Sequence, residues 1–359
     1  MRYQEVKRLL SKLWHRPLTA ACCLLTLVCT LAACSEWDTN GLGKSFVPNN
    51  LQVSKFTHLV YVEFSSDDIK IWGPNVKDVV VAGRGNHLVL QNLSDSLALF
   101  VYGYTSANDS LGVTDNSITI ESDLPYALYL NGLSLHSQQQ TAISSTGQGA
   151  CHLVIPQASK NQLYGGLHTD GDLIVSGTGT LTIESDGNCI SASSLYCQYA
   201  VTMNLYSRKG DGIELRDGSM KSTLGTWEIT AARNGIVASD SIVLLDGSYT
   251  GSALEGSFLD APYGSVLRKP TVTAVSAWSS NVLDSAQVAH YDSVQAVWQE
   301  QVDTLTLMAD TTYYILRNSS RSQLAKFLPR QTLPAPYYFL LSNSTVTTQD
   351  TLYFSKTNK

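Results

Sequence analysis

One frame recurs along the middle of this chain every 23 residues, and it limits what the chain can fold into. Ile190, Ile213, Ile236, Leu259 and Val282 lie 23 positions apart, with Leu167 another 23 before Ile190 and Ile143 a further 24 before that. The best copies read Asp211-Gly212-Ile213-Glu214-Leu215-Arg216-Asp217 and Asn234-Gly235-Ile236-Val237-Ala238-Ser239-Asp240. A fixed period of this size signals stacked units, each burying its apolar edge against its neighbours. Such a stack is extended, and its long side-chain ladders suit binding to other polymers.

Within each frame stand further short apolar runs, such as Leu173-Ile174-Val175, Leu181-Thr182-Ile183 and Val201-Thr202-Met203-Asn204-Leu205. They are rich in Thr, Ser, Val and Ile, glycine is frequent, and no apolar stripe at helical spacing runs for a useful length. Three short strands joined by turns fill about 23 residues at ~3.3 Å per strand residue. The expected fold is all-β, a right-handed parallel β-helix. A β-propeller is the structural competitor, but its repeat is about twice as long. Upstream, Leu59-Val60-Tyr61-Val62, Ile69-Lys70-Ile71 and Leu88-Val89-Leu90 are strand-like runs bounded by turn residues, so the solenoid is expected over 57–284. From 285 to 359 the period fades. That region is expected to cap the open end or form a small β appendage, with Val288 to Glu300 patterned as one short helix.

The N-terminal stretch reads as targeting, not fold. Arg2, Lys7, Arg8, Lys12 and Arg16 precede an apolar run from Leu18 to Leu31, and the run ends in Leu31-Ala32-Ala33-Cys34. This is the pattern of a secretory signal over 1–33. Its end resembles a bacterial lipobox, which makes Cys34 the expected lipidation site. Residues 34–56 then serve as a tether to the outer membrane. The run is short for a spanning helix, which needs roughly 20 residues. The competing readings are an ordinary signal cut near Ala33 and an uncleaved anchor.

The whole chain carries 24 Lys and Arg against 30 Asp and Glu, a net of −6. Loss of the signal would leave it more acidic still. No basic cluster remains, which argues against nucleic acid as a partner. Beyond Cys34 only Cys151, Cys189 and Cys197 are left. That odd number argues against a disulfide framework, and the apolar surroundings of Cys151 and Cys189 read as buried thiols.

Aligning the coils exposes two polar columns. Two positions before the apolar residue stand Asn188, Asp211 and Asn234. Four positions after it stand Ser194, Asp217 and Asp240, with Asp170 one step out of register. One reading is a turn ladder, since Asn and Asp tolerate left-handed backbone and bond their own turns. The other is calcium, held by Asp170, Asp211, Asp217 and Asp240, because hard cations take carboxylate oxygens. Among aromatic residues, which offer flat apolar faces to sugar rings, Tyr164, Tyr196, Tyr199 and Tyr206 are the candidate carbohydrate contacts, joined by Asn188 and Asn234. A polysaccharide lyase is the catalytic alternative, with Arg208 or Arg233 as base. A surface adhesin or structural protein with a protein partner is the third reading.

The segments Leu128-Tyr129-Leu130-Asn131-Gly132-Leu133-Ser134-Leu135, Thr141-Ala142-Ile143, Asn161-Gln162-Leu163 and Gly171-Asp172-Leu173-Ile174-Val175-Ser176-Gly177-Thr178-Gly179-Thr180-Leu181-Thr182-Ile183 resemble bacterial carbohydrate-binding-domain proteins, common as lipoproteins in Bacteroidota. The resemblance spans roughly residues 60–285. It implies a right-handed β-helix that binds plant-type polysaccharide without catalysis, with acidic polymers such as pectate as the class and calcium held by aspartates at the turns. Two coils depart from the pattern: Cys189 stands where glycine is expected, and Ser257-Phe258-Leu259-Asp260 lacks the Asn/Asp-Gly pair.

Overall fold

A computed structural model describes residues 53–65, 69–83, 87–104, 115–270, 272–279, 298–318, 320–343, 345–346 and 350–356. The expected signal, Cys34, most of the tether, Asp109 to Leu111 and the frame position Val282 lie outside the described residues.

The chain folds as an all-β parallel solenoid of about seven turns with coils about 23 residues apart. Each coil contributes one short strand to each of three parallel sheets. Sheet A contains Cys151–Ile155, Leu173–Gly177, Leu195–Cys197, Met220–Ser222, Ile242–Leu244 and Val266–Arg268. Sheet B contains Thr180–Ser185, Thr202–Ser207, Thr226–Ala231, Ser248–Leu254 and Val272–Ser279. Sheet C contains Ile190–Ala192, Ile213–Leu215, Ile236–Ala238 and Leu259–Asp260. In the earlier coils one strand serves several sheets. Tyr126–Thr146 pairs in all three in turn, and Lys160–Thr169 pairs in B and then C.

The sequence frame is sheet C. Ile143, Leu167, Ile190, Ile213, Ile236 and Leu259 are successive register partners, and none is more than 3% exposed. Alternation along the strands sends Leu173, Val175, Leu181, Ile183, Ile190 and Ala192 into a single core. Shortening one of these, as in Ile213→Ala, removes several methyl groups at a fully enclosed site and costs roughly 2–5 kcal/mol. Glycine permits the tight corners. Gly177 turns the chain from sheet A to sheet B at φ +101°, where an added Cβ would lie 1.9 Å from the Ile155 carbonyl oxygen; such a position favours glycine alone.

Cys151 and Cys189 are free and buried, as their apolar surroundings suggested, and Cys197 is free and buried as well. Burial pushes the Cys151 thiol up to about 12 and the Cys197 thiol up to about 11. Both are inert neutral hydrophobes at physiological pH.

Antiparallel strands cover the ends of the stack. Near the N-terminus Ile69–Trp72 pairs with His58–Phe64, and Val79–Gly83 pairs with His87–Asn92. At the other end Val272–Ser279 takes Tyr337–Ser342 as an antiparallel neighbour, which in turn takes Trp298–Val302. The residues from 298 onward therefore satisfy the open strand edge. They also build a second sheet, Gln323–Phe327, Tyr313–Arg317 and Leu352–Ser355, whose apolar cluster includes Tyr313, Phe327 and Phe339. The expected helix over 288–300 is corrected in its last turn, since Trp298–Val302 is a strand. The exposed edge there demands a backbone partner, and that demand overrides the helical apolar spacing. Residues 288–297 lie outside the described residues.

Candidate functional site

The two polar columns of the sequence have different fates. Asn188, Asp211 and Asn234 line the corner between sheets B and C and form a continuous ladder. The backbone N–H of Asp211 donates to Asn188 Oδ1 at 2.8 Å, that of Asn234 to Asp211 Oδ1 at 2.8 Å, and that of Ser257 to Asn234 Oδ1 at 3.0 Å. Each side chain thus satisfies a backbone donor one coil onward, in the manner of an Asx turn stacked along the axis. Asn234 Nδ2 also donates to Asp211 Oδ1 at 3.0 Å, Arg233 lies 3.7 Å from the same carboxylate, and Asp211 is only 1% exposed. These side chains hold the corner.

The second column does not exist in three dimensions. Between sheets C and A the corner has two residues at Ser193–Ser194, four at Arg216–Ser219 and three at Ser239–Ser241. Asp217 and Asp240 are therefore out of register despite their 23-residue spacing. Asp217 is exposed; Asp240 accepts from Ser219 Oγ at 2.8 Å. The side chain of Ser219 also meets that of Ser241 at 2.9 Å, so the ladder at this corner is made by serines. Asp170 accepts from the Gly147 N–H at 3.4 Å, pairs with His168 at 3.0 Å and lies 3.6 Å from Arg216. Partial burial alone would raise its carboxyl, but the hydrogen bonds from His168 and Gly147 together with the nearby charges bring it below the ordinary value. Among the described residues no group of three or more His, Cys, Asp or Glu side chains is placed to share one metal ion. The four aspartates occupy two corners of the coil and do not form a calcium cage by themselves.

The tyrosines divide by sheet. Tyr196 points outward from sheet A, and Tyr199, 44% exposed, stands at the next corner. Tyr164 and Tyr206 point outward from sheet B and belong to one column. Along the sheet His136 pairs with Tyr164, Tyr164 with Glu184 and Glu184 with Tyr206. The rings of His136 and Tyr164 stack at 4.9 Å and 28°. By contrast Trp227 and Tyr249 stack inside the coil, each 0% exposed.

The start of this column forms a cavity of about 350 Å³, floored by His136 and Tyr164 and edged by Gln138, Glu184, Asp186 and Arg208. Its residues come from four successive coils, so it extends about 14 Å along the axis at ~4.8 Å per strand. Burial holds the His136 imidazole below its ordinary value, with Asp115 opposing, so the ring is neutral near pH 7. Burial and then the neighbouring Glu184 raise the Tyr164 hydroxyl, which stays protonated. Lys209 pairs with Asp186 at 3.3 Å. No ion pair or hydrogen bond to the described residues engages the Glu184 carboxylate or the Arg208 guanidinium. The cleft therefore offers a stacked aromatic floor, a free carboxylate acceptor, and a free cationic donor.

Sequence reasoning named Tyr164, Tyr206 and Arg208 but missed His136 and Glu184. His136 precedes Tyr164 by 28 positions and Glu184 follows it by 20, so neither falls on the 23-residue frame. A second group was also missed. The outward rings Tyr61, Phe100 and Tyr129 form a ladder on sheet A, with centroids 5.3 and 4.2 Å apart, and the exposed Trp72 stacks on its end at 5.4 Å.

Among the described residues two Ser–His–Asp groupings occur, and neither has the geometry of a proton relay. At His58 both Asp78 (2.7 Å) and Ser94 (3.0 Å) address the same nitrogen, Nδ1. At His87 Ser117 lies 2.9 Å from Nδ1, but Asp115 is 3.6 Å from Nε2, beyond hydrogen-bond reach.

Comparison with curated proteins and with solved structures finds no significant match. A family model described as "Carbohydrate-binding domain-containing protein" matches residues 110–261. That stretch contains the whole sheet B cleft, from His136 to Arg208, and supports a carbohydrate-binding domain over those residues.

Proposed function

We propose that this chain binds a polysaccharide without cleaving it, and that the sheet B cleft is the contact. The observation that carries this reading is the stacked His136–Tyr164 floor beside Glu184 and Arg208, whose charged groups meet no ion pair or hydrogen bond among the described residues, within the family-matched stretch. A pyranose places its apolar face on the aromatic floor. Its hydroxyls donate to Glu184. A uronic acid carboxylate meets Arg208, whose planar fork suits carboxylate recognition. Acidic glycans are therefore the ligand class.

Calcium enters this reading only as a bridge between exposed protein carboxylates and those of the glycan. The proposed setting is the outer membrane, with a lipid on Cys34. Cys34→Ser should then move the protein from the membrane fraction to the soluble fraction; unchanged membrane association would refute the anchor.

The test is a glycan array probed with residues 35–359, once with calcium and once with a chelator. Retention on acidic polymers that survives the chelator supports direct recognition. Retention lost with the chelator adds the calcium bridge. Release of unsaturated product from pectate would replace the binding reading with a lyase. No retention on any glycan would overturn it in favour of a protein-binding surface molecule.

A further inference from the structure

Among the described residues the sheet B groove is walled at its far end, and the wall comes from outside the family-matched residues. From His136 to Glu184 the outward column faces solvent or the cleft. At Tyr206 it stops. The Arg330 guanidinium sits over the Tyr206 ring, 5.3 Å from its centroid, filling the face on which the next sugar would stack. Arg330 is held from behind by Asp310 at 3.2 Å. Beside it, Gln331 Nε2 donates to the Arg208 carbonyl at 3.4 Å, spanning 123 positions of sequence. Beyond this point the column continues as Thr230, Ser252 and Val275, which are 5%, 1% and 0% exposed. A second cavity of about 340 Å³ lies there, floored by Glu228 and Thr250 but roofed by the C-terminal strand Gln323–Phe327.

We infer that Arg330 and Gln331 form a stop, so that the groove takes the end of an acidic glycan chain rather than its middle. The inference rests on the carbohydrate reading above and adds to it a preference for chain termini. A glycan lying along the axis over Tyr164, Glu184 and Arg208 ends against Arg330. An unblocked solenoid face would let many proteins sit along one polymer; a stopped face counts chain ends.

The experiment is calorimetric titration of the protein with oligogalacturonates of increasing length and with polygalacturonate. The stop predicts that the number of proteins bound per glycan chain stays constant as the chain lengthens. It also predicts that chemical reduction or capping of one chain end, but not of the other, weakens binding at least tenfold. The double variant Arg330→Ala, Gln331→Ala should make stoichiometry rise with chain length. Wild-type stoichiometry that grows in proportion to length would overturn the stop while leaving carbohydrate binding intact. Heatless titrations with every glycan, together with no retention on the array, would overturn the carbohydrate reading and the stop with it.

Discussion

The two halves of sheet B share one outward column and one strand register, yet they carry opposite chemistry. The open half reads His136, Tyr164, Glu184; the covered half reads Thr230, Ser252, Val275. In the open half the residues are large and amphipathic, with rings for area and polar tips for hydrogen bonds. In the covered half they shrink and end in an apolar side chain that joins the C-terminal cluster of Leu307, Tyr313, Phe327 and Phe339. The solenoid scaffold is therefore neutral about function. What stands on a given rung depends on whether solvent and ligand, or another part of the chain, lies above it.

The sharpest way to break this comparison is to move the chemistry of one half into the other. An acid is native at Glu184, but Val275→Asp would bury an unpaired carboxylate under the C-terminal sheet and should cost about 3 kcal/mol or more. Denaturant unfolding would measure it, and a cost under about 1 kcal/mol would mean that the covered half is not truly closed.

A smaller effect is expected on sheet A. His152 points outward there but is 1% exposed, packed edge-on against Phe56 at 4.8 Å, with neither ring nitrogen paired among the described residues. Burial, helped by Lys55, lowers its pKa from 6.5 to about 4. The folded state thus holds the neutral ring, and its stabilisation is complete above about pH 6.5. As pH falls from there toward 4 the unfolded chain gains a proton that the folded chain refuses, so stability should drop by up to about 3 kcal/mol. His152→Leu should flatten that part of the pH profile; an unchanged slope would locate the effect elsewhere.

Next comes the corner ladder. Asp211→Ala leaves the Asn234 backbone N–H without its acceptor in a buried corner and should cost about 2 kcal/mol. Asp211→Asn keeps the carbonyl oxygen, as Asn188 and Asn234 do in neighbouring coils, and should cost under about 1 kcal/mol. Equal losses for both variants would mean that charge, through Arg233, and not the ladder, holds this corner.

Parts of this picture were legible in the sequence because one sheet keeps time. Sheet C strands recur every 23 residues from Leu167 to Leu259, so the frame, the apolar interior and the Asn188–Asp211–Asn234 ladder could be read at fixed offsets. Sheets A and B drift, because the corners from C to A hold two, four and then three residues and those from B to C hold four or five. That drift placed Asp217 and Asp240 in a column they do not share and hid His136 and Glu184 from a search at constant spacing. The cover over Tyr206 left no trace at all. Contacts such as Gln331 to Arg208 join distant segments, and nothing periodic announces them. Residue type alone does not tell outward tyrosines from inward ones: Tyr206 follows the inward Leu205 and points out, whereas Tyr249 stands between the exposed Ser248 and Thr250 and points in, so only the phase of the strand separates them.

The central claim is that ligand lies on the open half of sheet B. It is tested most directly by titrating polygalacturonate into the wild-type protein and into Tyr164→Ala, with thermal melts of both. Tyr164 is half-buried on the outer face and contributes little to the core. The account predicts affinity at least about fivefold weaker, from a lost ring contact worth ~1 kcal/mol or more, with an unchanged melting temperature. Unaltered affinity in a folded Tyr164→Ala protein would contradict the placement of the ligand on this sheet.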